Sequence, residues 1–85
     1  METVLLVMPD ITEITEIVCR VATIESIDPN AVLYESGVTS LDILGLLTEL
    51  ETVYGIRIPD EQFIAARTCQ DLLCLVNRLK EEQTA

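Results

Sequence analysis

The chain has 85 residues, with 15 acidic side chains against five basic ones, a formal charge of −10 and no histidine. That charge argues against a nucleic-acid binder, whose affinity rests on neutralising phosphates with Lys and Arg, and equally against an anionic membrane surface. It favours partners with basic patches and speeds encounter with them.

A chain of this length is one domain. It can bury a little over half of the surface its unfolded form exposes, so it folds alone with little margin. Hydrophobic residues make up 49% of it, and the only aromatics are Tyr34, Tyr54 and Phe63. An aliphatic core of this kind reads as helical. Without histidine the chain lacks the commonest general base and a common metal ligand. Cys19, Cys69 and Cys74 are odd in number and lack C-x-x-C spacing. Neither a metal site nor a disulfide framework is expected. Each cysteine reads as a small buried hydrophobe in a reducing compartment. The apolar run Val4 to Met8 lacks a basic flank and is far too short to span a bilayer. Residues 1–9 read as an N-terminal extension, and the expected location is the cytoplasm.

Four stretches read as helices. The first begins near Pro9-Asp10, where Asp10 and Glu13 have the spacing of a cap. Ile11, Ile14, Ile17, Val18 and Val21 then recur at helical spacing, and the helix fades around Thr23 or Ile24. A loop follows from roughly Glu25 to Thr39, with turn signals at Asp28-Pro29-Asn30 and Ser36-Gly37. Between them Val32, Leu33 and Tyr34 are expected to dip into the core and pin the loop.

The second helix runs from about Ser40 to Val53 or Tyr54, with Ile43, Leu46, Leu47, Leu50 and Val53/Tyr54 as its buried stripe and Gly55 as its stop. Ile56-Arg57-Ile58 leads to a short helix from Pro59 to Ala65, opened by proline with Asp60 and Glu61 behind it. The last helix opens at Thr68, with Asp71 three residues on, and carries Leu72, Leu73, Leu75, Val76 and Leu79. It is expected to end in a frayed tail over residues 81–85. The fold class is therefore all-α: a small four-helix bundle over residues 10–80, with three longer helices and one short one.

The informative segment is Gly37-Val38-Thr39-Ser40-Leu41-Asp42. A glycine turn delivers a serine to the first turn of a helix, where unpaired backbone N–H groups carry partial positive charge. A phosphate on that serine would sit in a favourable field. Taken alone, the segment also reads as an ordinary helix cap, since Thr39 and Asp42 have capping-box spacing; the two roles are compatible, with Thr39 capping and Ser40 exposed beside it. With no histidine and no evident base, nothing would activate Ser40 as a nucleophile, and no catalytic residue is expected.

The run Leu33-Tyr34-Glu35-Ser36-Gly37-Val38-Thr39-Ser40-Leu41-Asp42 resembles the signature of the acyl carrier and peptidyl carrier proteins. The resemblance continues through Leu46, Leu47, Leu50-Glu51 and Tyr54-Gly55, and again at Ile56-Arg57-Ile58-Pro59-Asp60-Glu61, covering about residues 10 to 80. It implies that Ser40 is the attachment point of 4′-phosphopantetheine, moved from coenzyme A by a phosphopantetheinyl transferase, with a cargo held as a thioester on the arm. It further implies a freestanding monomeric phosphoprotein carrier, a substrate and not an enzyme, served by acyl- or aminoacyl-loading, ketosynthase, condensing or tailoring enzymes.

The family usually has Asp before the serine, where this chain has Thr39. Gly45 and Thr52 stand where glutamates are common. Asp42, Glu51 and Asp60 remain as acidic contacts for partners, joined by Thr39 beside the site. Leu41 and Leu44 point off the buried stripe and offer an apolar docking surface. A carrier in polyketide or other specialised biosynthesis is the first reading. A nonribosomal aminoacyl or peptidyl carrier is the second, and an unmodified helical interaction module the third. Leu46, Leu50, Ile58, Phe63 and Leu72 either line a cargo cavity or form an ordinary core, the latter being preferred.

Overall fold

The structure, a computed structural model, describes residues 9–84. The Val4–Met8 run lies outside the described residues. Of the expected N-terminal extension only Pro9 is described, and it is buried.

Each helix is delimited by local chemistry. In α1 (Ile11–Ala22) the extended Asp10 caps the start, its Oδ1 accepting from the Glu13 N–H at 2.9 Å. The stop is Thr23, a β-branched residue held in the left-handed region at φ 58° so that its N–H reaches the Cys19 carbonyl. In α2 (Ser40–Tyr54) the start is a reciprocal capping box between Thr39 and Asp42, and the stop is Gly55 at φ 64°. A third helix, α3, spans Asp60–Ala65, with Pro59 just outside it as the N-cap and not the first helical residue. Helix α4 (Cys69–Thr84) opens on a second reciprocal pair: Asp71 N–H donates to Thr68 Oγ1 at 3.1 Å, and Thr68 N–H to Asp71 Oδ2 at 3.3 Å. The lengths of 12, 15, 6 and 16 residues are those of a bundle with three longer helices and one short one.

Helix α1 packs against both α2 and α4, and α3 against α4. The core joins Ile14, Ile17 and Val18 of α1 to Leu46, Leu50 and Tyr54 of α2 and to Cys69, Leu72, Leu75, Val76 and Leu79 of α4. Among the described residues no polar or charged side chain is buried. Truncating a fully buried leucine such as Leu50 in such a core costs about 2–5 kcal/mol. Ile56 and Ile58 of the connector are buried and Arg57 between them is exposed, as an extended chain dictates.

The loop before α2 is stitched to the far end of the chain. Leu33 N–H donates to the Arg67 carbonyl at 2.9 Å, and Gln70 N–H to the Pro29 carbonyl at 3.1 Å. Leu33–Glu35 form a 3₁₀ turn that periodicity did not reveal. Only Leu33 is buried there. Tyr34, expected in the core, is exposed, because a three-residue turn sends successive side chains in different directions and one inward position takes Leu33.

Three further expectations are corrected. The tail expected to fray is helical through Thr84, and Gln83 bonds both backbone groups of Arg57, at 2.8 Å to its N–H and 2.7 Å to its carbonyl. Cys74 is exposed, since it lies between Leu73 and Leu75 and falls on the outer face of α4. In the second helix the stripe ends on Tyr54, and Val53 is exposed.

Candidate functional site

Gly37 takes φ 100°, a conformation that side-chain-bearing residues rarely adopt, and a Cβ there would meet Ile24 Cγ2 at 3.4 Å. The turn drops Val38 into the core and brings Thr39 to the start of α2. Thr39 Oγ1 accepts from Asp42 N–H at 3.2 Å, and Asp42 Oδ2 accepts from Thr39 N–H at 2.9 Å. Both side chains expected as partner contacts are therefore engaged in holding the helix end.

Ser40 is the first residue of α2 and is exposed. The capping box consumes the Asp42 N–H, and Ile43 N–H donates to the Thr39 carbonyl. Among the described residues the N–H groups of Ser40 and Leu41 meet no acceptor. Two amides without an acceptor at a helix start, beside an exposed serine, form a donor set that suits a phosphate ester.

Leu41 is 80% exposed and Leu44 64% exposed, as the off-stripe positions implied. Asp60 is exposed in the first turn of α3. Glu51 is half-buried. Its Oε2 accepts the Ile58 N–H at 2.9 Å and braces the connector.

Leu46, Leu50, Ile58, Phe63 and Leu72 are all buried in the core, the preferred of the two readings. Of the five, Phe63 also borders the open space, which otherwise lies outside the core. A cleft of about 420 Å³ runs from Ser40 between α2 and α3, walled by Leu44, Leu47, Phe63 and Ile64 with Asp60 at its edge. A second, of about 290 Å³, adjoins it and reaches Arg67. Tyr34, 62% exposed, and Ile64, 74% exposed, line both. Sequence reasoning missed these two and Arg67 as site residues. The available signal was Ile64, an apolar side chain beside the core residue Phe63 in a helix too short to bury both.

Among the described residues no cluster of His, Cys, Asp and Glu would hold a metal, and no helix is long and apolar enough to cross a membrane. A family model described as "Phosphopantetheine attachment site" matches residues 12–76. The chain belongs to that family. Phosphopantetheine carriers bear 4′-phosphopantetheine covalently, are carried cargo-bearing substrates of other enzymes and perform no catalysis of their own.

This carrier is 28% identical over 76 residues to the meromycolate extension acyl carrier protein of Mycobacterium tuberculosis, a match covering 89% of this chain and 66% of that protein. The protein of that name from Mycobacterium leprae matches to the same extent, and the one from Mycolicibacterium smegmatis is 26% identical, with 77% of its length covered. The chain thus spans just under two thirds of the mycobacterial relatives first matched. In three dimensions the carrier resembles a solution structure of a non-covalent extended docking-domain complex of the Pax NRPS. The TM-score is 0.78 at 19% identity, over 88% of this chain and 72% of that one. At that identity the likeness establishes the fold, the all-helical carrier bundle.

Proposed function

We propose that this carrier bears its 4′-phosphopantetheine on Ser40 and presents an acyl intermediate to the enzymes of a polyketide or other specialised biosynthetic route. The observation that carries the reading is Ser40 itself: exposed, first in α2, beside two unpaired amides and at the mouth of an apolar cleft. In the loading step Ser40 Oγ forms a bond to phosphorus as the phosphoanhydride of coenzyme A breaks. The adenosine bisphosphate leaves, and the hydroxyl proton passes to a base on the transferase, since the chain has no histidine to receive it. When bound, the group supplies a terminal thiol that holds the cargo as a thioester.

The chain's own residues present and orient. Thr39 and Asp42 hold the helix end rigid, the Ser40 and Leu41 amides favour the phosphate charge, and Leu41 and Leu44 offer partners an apolar contact with Asp60 as an acidic one. The partners are a phosphopantetheinyl transferase and loading, condensing or tailoring enzymes with basic, partly apolar faces. Three free cysteines support a reducing compartment, the cytoplasm.

Intact mass tests the reading. Incubation with coenzyme A and a broad-specificity transferase is expected to add one phosphopantetheine group, which Ser40→Ala abolishes and Thr39→Ala does not. A gain that survives Ser40→Ala would refute the site. An aminoacyl cargo is the second reading, favoured by Leu41 and Leu44 standing exposed where recognition rests on shape more than on acid–base pairing. Loading with matched acyl and aminoacyl donors separates the two.

A further inference from the structure

The two clefts share Tyr34, Ile43, Phe63 and Ile64, so they form one groove with an apolar floor. Its charges stand apart. Asp60 lines only the part that contains Ser40, and Arg67 only the adjoining part. Arg67 is held by its backbone from both sides: its N–H donates to Asp71 Oδ2 at 3.0 Å, and its carbonyl accepts from Leu33 N–H at 2.9 Å.

The guanidinium itself is uncommitted. Arg20 pairs with Glu49, and Arg78 with Glu82, whereas among the described residues no carboxylate pairs with Arg67. Asp71, four residues away, uses its Oδ2 to accept from the N–H groups of Arg67 and Thr68, and makes no ion pair with the guanidinium. In a chain with only five basic residues and a formal charge of −10, an unpaired cation beside an apolar groove is unlike its surroundings. Guanidinium is the side chain best shaped to take a carboxylate, with two parallel N–H donors.

We infer that the groove takes an acyl cargo whose far end carries a carboxylate, with Arg67 as its counter-charge. The acyl chain covers Ile43, Phe63 and Ile64, Asp60 repels the carboxylate from the Ser40 end, and Arg67 receives it at the other. The assignment rests on Ser40 carrying the cargo.

The test loads two cargoes of equal chain length, octanoyl and its ω-carboxy counterpart, as their coenzyme A thioesters with a broad-specificity transferase. Intact mass reports loading, and the rate of thioester cleavage by hydroxylamine reports shielding. An exposed charge pair of this kind is worth up to about 1 kcal/mol, so the carboxylated cargo is expected to be cleaved about two- to five-fold more slowly. Arg67→Gln should erase the difference and leave the octanoyl rate unchanged, and Arg67→Lys should keep part of it. An unchanged helical circular dichroism spectrum checks that the variants fold. Equal rates for the two cargoes, or a difference that survives Arg67→Gln, would overturn the inference alone. No mass gain with either cargo would overturn the Ser40 assignment and the inference with it.

Discussion

The Tyr54 hydroxyl donates to Glu13 Oε1 at 2.7 Å, tying the last turn of α2 to the first turn of α1. Burial of the phenol, then the Glu13 hydrogen bond and the Glu13 and Asp10 charges, push its pKa well above the ordinary tyrosine value. A hydrogen bond to a charged group is worth about 1.5–3 kcal/mol. Glu13 is only half-buried, so Tyr54→Phe is expected to lose about 1–2 kcal/mol in urea titration. The sign with pH follows from the raised value. The neutral phenol is favoured in the folded state, so its contribution is fully present below the unfolded pKa of about 10 and is lost as pH rises beyond it. Wild type should therefore lose stability more steeply than Tyr54→Phe above that pH.

The Thr39–Asp42 box is a coupled unit. Thr39→Ala is expected to cost about 1 kcal/mol, and Asp42→Ala a similar amount. The double variant should cost less than the sum, because either single change already breaks the reciprocal bond. Thermal or urea midpoints of the four proteins close the cycle. A fully additive result would mean the two hydrogen bonds form independently.

Thr23 is strained. A β-branched residue in the left-handed region costs about 1–2 kcal/mol, part of which glycine recovers after its own entropy loss. Thr23→Gly is expected to raise stability by about 0.5 kcal/mol. Gly37→Ala should do the reverse, losing about 1–3 kcal/mol, since φ 100° suits glycine alone. A rise in the urea midpoint for the first and a fall for the second is the pattern to look for.

The cysteines should react in order of exposure. Cys74 is exposed, Cys19 half-buried with its thiol pKa raised by burial, and Cys69 buried with its thiol pushed up to about 11, first by desolvation and then by Cys19. The thiolate is the reactive form. Iodoacetamide at pH 8 is expected to label Cys74 first and Cys69 only after unfolding, read by peptide mass spectrometry.

Leu41 and Leu44 bear little on stability, because exposed side chains usually change it by no more than about 0.5 kcal/mol. Changing both to Ala should leave the urea midpoint in place while lowering kcat/KM of a transferase or loading enzyme acting on the carrier. Unchanged kinetics with every partner tested would remove these residues from the docking surface.

The helices were legible because their signals are local. Asp10 with Glu13, Thr39 with Asp42, Thr68 with Asp71 and the glycine at position 55 act across four residues or fewer, so spacing alone locates them. Ser40 was legible for the same reason, as the exposed neighbour of a cap after a glycine turn. The 3₁₀ turn was not, because it is three residues long and held by Leu33 reaching across to Arg67.

The sequence by itself determined four helices, their caps and a serine at the head of the second. Only the tertiary structure decided where the space lies and which charges are spent. Glu51 turned out to brace Ile58, Tyr34 to face outward, and Arg67 to share a groove with Ser40. The physical reason is range. A cap is settled by backbone geometry within one turn, whereas a groove is settled by how α2, α3 and the loops on either side pack, and no local spacing encodes that.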